Sequence, residues 1–331
     1  MVDLRPLSLG EIIDRAASIW RANWKGLFKL FLGFQLGLFV LLKAWELLVR
    51  TYFPAARGGT ATIEALQTQP EVAFKQVGWT VATGGVLMLM YLVIGYFSGI
   101  ACSHYVWPRM LGRTATIAQS LRRAVDRSAT LVGFFGLMLG WTGVVAGLLM
   151  LPAAIAVGGA VVVGEGPAAA ILAIIGGLLA LAGLLVAFLW FVLRFLLASQ
   201  VLALEDVPAL GVFKRCDDLA SGRIEPGFLG LVKVRLTILF TVVTAIISTV
   251  SLVAGLPALI IQGSYGNLLD PARATPDAVP QLLLVPAQLL QVVAQSIVGP
   301  MFVVFAVVFY ADMRVRREGL DLQLKLEETQ Q

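Results

Sequence analysis

Histidine and cysteine are nearly missing from this chain: His104 is the single histidine, and Cys102 and Cys216 are the only cysteines among 331 residues. His104 and Cys102 stand at i, i+2, which point apart on a helix, so they cannot complete a metal site. Two cysteines this far apart give no disulfide framework. The sequence also lacks a nucleophile elbow, a phosphate loop, an H-E-x-x-H pair and a G-x-G-x-x-G turn. No catalytic residue, metal or cofactor is therefore expected, and the chain reads as non-enzymatic.

Charge is scarce as well, at 14% of residues with 59% hydrophobic, where a soluble domain carries about 25% charge. No Asp, Glu, Lys or Arg occurs in 76–108, 128–164, 166–193, 236–269 or 278–311. Each run is longer than the roughly 20 residues that cross a hydrocarbon core. A sixth candidate, 27–49, is interrupted by Lys43 and Glu46. With Arg50 these stand at i, i+3 and i+7, a pairing ladder from which Lys43 can snorkel to headgroups. We read it as a span, against the competing reading of a long interfacial helix. The absence of paired carboxylates within the spans excludes a proton-coupled pump of the usual design. Asp3, Glu11 and Asp14 occupy the place of the basic and apolar regions of a signal peptide, so none is expected.

The net charge of +5 would indicate nucleic acid only if its placement were ignored, and no nucleic-acid partner is expected. Lys and Arg number five in 1–29, five in 108–131, five in 201–235 and four after Ala311. The alternate loops hold Arg50, Arg57 and Lys75 in the first, none around Glu165, and Arg273 in the third. Short basic loops stay in the cytoplasm, which predicts both termini inside, an even number of spans, and a multi-pass protein of a bacterial cytoplasmic (inner) membrane.

Each basic segment opens with a capped amphipathic pattern. Ser8 and Glu11 form a capping box, with Leu9, Ile12, Ile13, Ala16, Ile19, Trp20 and Trp24 on one face. Thr116 and Gln119 repeat the box before Ile117, Leu121, Ala124, Val125 and Ser128. A looser third copy has Asp206 as cap, Pro208 in the first turn, then Leu210, Phe213, Cys216 and Ala220. The expected fold is an all-α integral membrane domain, 1–331, of six transmembrane helices in three hairpins, each preceded by a cytoplasmic interfacial amphipathic helix. Its units would be 1–107, 108–200 and 201–314, an internal repeat with a cytoplasmic tail 315–331. Gly133, Gly136, Gly140, Gly143 and Gly147 on the third span, and Gly176, Ala180, Gly183 and Ala187 on the fourth, predict a tight hairpin around Glu165, because small residues let helices approach in lipid. Pro152 and Pro257 should kink or end their helices, and 262–280 reads as a loop.

One polar constellation lies within the spans. The fifth carries Thr237, Thr241, Thr244, Ser248, Ser251 and Gly255 on one face, and the sixth carries Gln288, Gln291 and Gln295 with Gly299. An amide in hydrocarbon needs partners, so these faces should meet as interhelical glue worth about 0.6 kcal/mol per bond, or line a polar cleft. Arg194 near the inner end of the fourth span is explained by snorkelling, with no acidic partner expected at its depth. Arg15, Arg21, Arg122, Arg123, Arg127, Arg316 and Arg317 are the candidates for docking anionic headgroups or a protein partner.

Three stretches carry a resemblance. Residues 7–16 (LSLGEIIDRA), the stretch from Arg194 to Glu205, and residues 310–322 (YADMRVRREGLDL) resemble the glycerophosphoryl diester phosphodiesterase membrane-domain family of bacterial multi-span proteins. The likeness is clearest at the two ends and in the middle. In some members the domain is fused to a phosphodiesterase; no such domain is expected here, so the enzymatic part of the name does not transfer. The resemblance implies no catalytic residues. Two readings of function remain: a subunit or scaffold of a membrane complex, or a permease-like transporter of an amphiphilic or lipid-derived solute.

Overall fold

The structure, a computed structural model, describes residues 5–53, 68–164, 166–266, 280–320, 322–323 and 326. Glu165, Arg57, Arg273, Lys325 and most of the expected 262–280 loop lie outside them. Among the described residues the chain is all-helical, with one isolated β-bridge between Arg223 and Leu231.

The helices are α1 (Leu9–Tyr52), α2 (Pro70–Met110), α3 (Ile117–Asp126), α4 (Ser128–Val163), α5 (Pro167–Phe195), α6 (Ala198–Leu204), α7 (Ala209–Ala220), α8 (Val232–Gly266) and α9 (Gln281–Glu318), with a 3-10 turn at Phe228–Gly230. Six helices are long and apolar enough to cross a membrane: Leu9–Tyr52, Glu71–Met110, Ser128–Val163, Pro167–Leu204, Val232–Tyr265 and Gln281–Glu318. The protein is a multi-pass membrane protein. Of the apolar window of α9, 61% is buried, against 6% for α4; most of the one is covered by protein and almost none of the other.

Local signals explain the helix starts. Ser8 Oγ accepts from the Glu11 amide while the Glu11 carboxylate accepts from the Ser8 amide, a complete capping box. The first amphipathic segment and the first span form one helix of 44 residues, about 66 Å long. No proline interrupts it, and Gly26 sits where a Cβ would lie 1.9 Å from Tyr105 Oη. Thr116 and Gln119 cap α3 reciprocally; that helix buries Ser120 and Ala124 and leaves Leu121 and Val125 exposed. The third start differs from the sequence expectation. Pro208 is itself the N-cap residue, outside the helix and in extended conformation, and Asp206 pairs with Arg127 instead.

The chain divides into two compact units: 8–124 with 239–308, and 3–7 with 125–238 and 309–331. In the first, α1 packs along α2, with Trp45 Nε1 donating to Thr83 Oγ1 at 3.2 Å and Arg109 to Asn23 Oδ1 at 2.8 Å. Phe31 of α1 fills the space beside Gly299 of α9, where a Cβ would lie 2.6 Å from the ring. Trp20 Nε1 donates to the Ile297 carbonyl at 3.1 Å. Helices α8 and α9 meet at Phe240–Phe302 and at Ala258 with Leu284 and Ala287.

In the second unit α4 packs on α5, through one of the two small-residue stripes. A Cβ at Gly176 would sit 2.7 Å from Val157, and one at Gly183 2.8 Å from the Leu149 carbonyl oxygen. Gly136, Gly140, Gly143 and Gly147 face open space. The α4 contact surface is built instead from Leu149, Ala153 and Val157. Periodicity marks a smooth face but carries nothing about which face a neighbour takes. Pro152 and Pro257 lie inside continuous helices and end neither. Helix α8 runs to Gly266, so residues 262–266 are helical and not loop.

Candidate functional site

The polar face of the fifth and sixth spans is brought together at one point. Gln291 lies against Gly255, whose added Cβ would be 3.3 Å from the Gln291 amide nitrogen. Gln288, Gln291 and Gln295 are half-buried on α9, whereas Thr241, Thr244 and Ser248 are exposed on α8. The buried edge of α8 is instead Leu239, Val243, Gly255 and Ala258. Gln288 Oε1 is buried without a hydrogen-bond partner among the described residues.

The candidate docking arginines separate into two groups. Arg21 and Arg122 are exposed, Arg21 donating to its own helix carbonyl at Ala17; Arg15 and Arg123 are half-buried. The other three are engaged within the second unit. Arg127 donates to the Glu205 carbonyl at 2.6 Å and pairs with the Asp206 carboxylate. Arg316 donates to Asp312, Glu225 and the Leu7 carbonyl. Arg317 donates to the carbonyls of Asp218 and Ser221.

Those bonds belong to an ionic network that reading along the sequence missed. Tyr310 Oη donates to Glu205 Oε1 at 2.6 Å. Arg215 Nε donates to both Glu205 oxygens at 3.0 Å, and its Nη2 pairs with Glu318. Arg314 Nε donates to Glu318 Oε2 at 2.8 Å and its Nη1 lies 3.5 Å from Tyr310 Oη. Glu205, Arg215, Glu318, Arg314 and Tyr310 thus close a ring of two anions, two cations and a phenol. Burial opposes the charged guanidinium of Arg215, but its bonds to Glu205 and Glu318 outweigh this and hold its pKa above the ordinary arginine value. Burial likewise pushes the neighbouring Cys216 thiol up, away from the reactive thiolate.

A second cluster centres on Asp312, whose side chain is 0% exposed. Its Oδ1 accepts from the Leu7 amide at 2.7 Å, and both carboxylate oxygens accept from Arg316 Nε at 3.0 and 3.1 Å. Arg316 Nη2 returns to the Leu7 carbonyl at 2.8 Å. Glu225 bridges Arg316 at 3.3 Å to Arg235 at 2.9 Å. Both clusters balance their charges internally, and no metal-ligating group of three occurs among the described residues. The only local hints in sequence were acids at helix ends beside arginines, Glu205, Asp312 and Glu318, together with their place in the three stretches that carried the family resemblance. Arg194 also has a partner that sequence reading did not find. Asp217 on α7 pairs with it at 3.1 Å, and its guanidinium stacks 5.1 Å from Trp190 and from Phe213. His104 Nδ1 lies 3.4 Å from Ser120 Oγ, away from any metal-ligating cluster.

Comparison of the chain with protein-family models, curated proteins and solved structures finds no match.

Proposed function

We propose that this chain is a non-enzymatic subunit or scaffold of a complex in a bacterial cytoplasmic membrane, with both termini and the basic segments on the cytoplasmic side. In this reading the six spans form three hairpins, each introduced by an interfacial amphipathic helix, and the chain is a membrane domain of the glycerophosphoryl diester phosphodiesterase membrane-domain family. The loop charges support the orientation, and the three family-like stretches support the membership: Leu7, Glu205 and residues 310–318 all enter the ionic clusters.

The observation that carries the functional reading is charge neutralisation. Glu205, Asp312 and Glu318 are each satisfied by arginines of the same unit, so the clusters fix segments together and offer no free charge to a substrate. Among the docking candidates left exposed, Arg122 on α3 stands beside exposed Leu121 and Val125. A basic face next to exposed aliphatic side chains suits anionic headgroups or an acidic partner segment. The test is the double reversal Arg122→Glu with Arg123→Glu: the folded variant should lose co-purification with its membrane partners, and retained co-purification overturns the reading.

Gln288 supports a second reading, a permease-like passage for an amphiphilic solute between the fifth and sixth spans, because its buried unpartnered oxygen would be satisfied by water or a polar ligand. Replacing Gln288, Gln291 and Gln295 together by Leu distinguishes the two. A folded, partner-binding variant that fails in solute uptake favours the passage; one that keeps uptake removes it.

A further inference from the structure

The segment between α7 and α8 is a braced hairpin. The Val232 amide donates to the Gly222 carbonyl at 3.2 Å and the Ile224 amide to the Gly230 carbonyl at 2.8 Å. Gly222 and Gly227 hold φ of +82° and +97°, values that only glycine adopts without strain. A Cβ at Gly230 would fall 1.8 Å from the Glu225 carbonyl oxygen, so the turn closes as tightly as a backbone allows. Glu225 ties the hairpin to Arg235 at the start of α8 and to Arg316. At its tip, Phe228 is 72% exposed.

With its ring exposed, Phe228 forgoes the roughly 1.5–3 kcal/mol that burial would contribute, a gain that an apolar layer outside the fold would return. Arg223 and Lys233 flank it, exposed and without an ion pair among the described residues. The hairpin leads directly into α8, whose uncharged run begins at Leu236. Four residues from Val232 back to Phe228 span at most about 14 Å, and four helical residues onward to Leu236 about 6 Å. The ring is thus tethered within about 20 Å of the hydrocarbon edge.

We propose that this tip is a membrane-surface anchor: Phe228 enters the interfacial layer of the leaflet that α8 enters, while Arg223 and Lys233 bind the phosphates of anionic lipids. Aromatic rings settle at headgroup level, and each basic residue near an anionic surface adds attraction. The inference rests on the reading of α8 as a transmembrane span with its basic end at the cytoplasmic face. It needs no protein partner, so it stands or falls separately from the α3 docking surface.

The test places an environment-sensitive fluorophore on Phe228→Cys in the full chain, reconstituted in phosphatidylcholine vesicles with and without phosphatidylglycerol. Cys102 and Cys216 are buried and stay unlabelled in the folded protein. With phosphatidylglycerol, the label should be quenched by lipids carrying a shallow nitroxide and shielded from aqueous iodide. Adding Arg223→Glu and Lys233→Glu to the labelled chain should lower the ratio of lipid-inserted to water-exposed label by at least about fivefold for each residue reversed, the worth of losing one such charge at an anionic surface. Iodide quenching without nitroxide quenching in both vesicles overturns the anchor, as does insertion that ignores phosphatidylglycerol and both reversals. Protection that appears only when a protein is added overturns it in favour of a protein contact.

Discussion

Replacing Asp312 by Ala removes the carboxylate that holds Leu7 to the end of α9. The Asp312 side chain is fully buried, accepts from the Leu7 amide at 2.7 Å, and pairs with Arg316, itself 13% exposed. Removing one partner of a buried ion pair costs about 3–5 kcal/mol because the other charge is left uncompensated. Arg316 keeps Glu225 and the Leu7 carbonyl, which points to the lower end, about 3 kcal/mol or roughly 150-fold in the unfolding equilibrium. Asp312→Asn keeps an acceptor for the Leu7 amide but loses the charge, so its cost falls between. Arg317→Ala is the control: an exposed side chain bonded only to two carbonyls is worth about 1 kcal/mol or less. The assay is unfolding in mixed dodecyl maltoside and dodecyl sulfate micelles, with hydrogen exchange of the peptide that includes Leu7. Asp312→Ala should unfold at a lower dodecyl sulfate fraction and exchange faster at Leu7. If it matches Arg317→Ala in both, the Asp312 cluster is not what joins these segments.

Other outcomes follow from the same packing. Gly183→Ala places a methyl 2.8 Å from the Leu149 carbonyl oxygen and should destabilise by about 1–3 kcal/mol, whereas Gly143→Ala meets open space and should be neutral or stabilising by up to about 1 kcal/mol; both are read in the same micelle titration. Thr116→Ala removes one half of the α3 capping box and should cost about 1 kcal/mol of local stability, measured by exchange across 117–126. Cys216 is buried and its thiol pKa raised by that burial, so maleimide should leave it unmodified in the folded protein at neutral pH and label it once the chain unfolds. A raised pKa keeps the thiol protonated until the pH climbs well above its ordinary titration range, so raising the pH modestly should not restore labelling of the folded chain.

Which features could be read along the chain follows from how far apart the interacting groups stand. The spans were legible because exclusion of charge from hydrocarbon acts on each residue singly, and even the interrupted first span kept its Lys43–Glu46–Arg50 ladder. The Ser8 and Thr116 boxes were legible because cap and partner are three residues apart. Asp206 misled because its local position suits a cap, yet Arg127, 79 residues away, takes its carboxylate. The ionic clusters join residues 105 and 309 positions apart, as in Tyr310 with Glu205 and Arg316 with Leu7. Sequence displays those charges but not their pairing, so the bonds of Arg316, a docking candidate, to Asp312, Glu225 and Leu7 were not legible there. The glycines of α4 and the hydroxyls of Thr241, Thr244 and Ser248 show the same gap, since a helical period defines a face without naming its neighbour.

The account depends most on which side of the membrane the basic segments occupy. Insertion of a reporter that is active only in the cytoplasm, and of one active only outside it, at Gly112, Gly164, Gly222 and the C-terminus tests this directly. The cytoplasmic reporter should work at Gly112, Gly222 and the C-terminus, and the external one at Gly164 alone. External activity at Gly112 or Gly222, or termini on opposite faces, contradicts the six-span arrangement and the cytoplasmic placement of the basic segments.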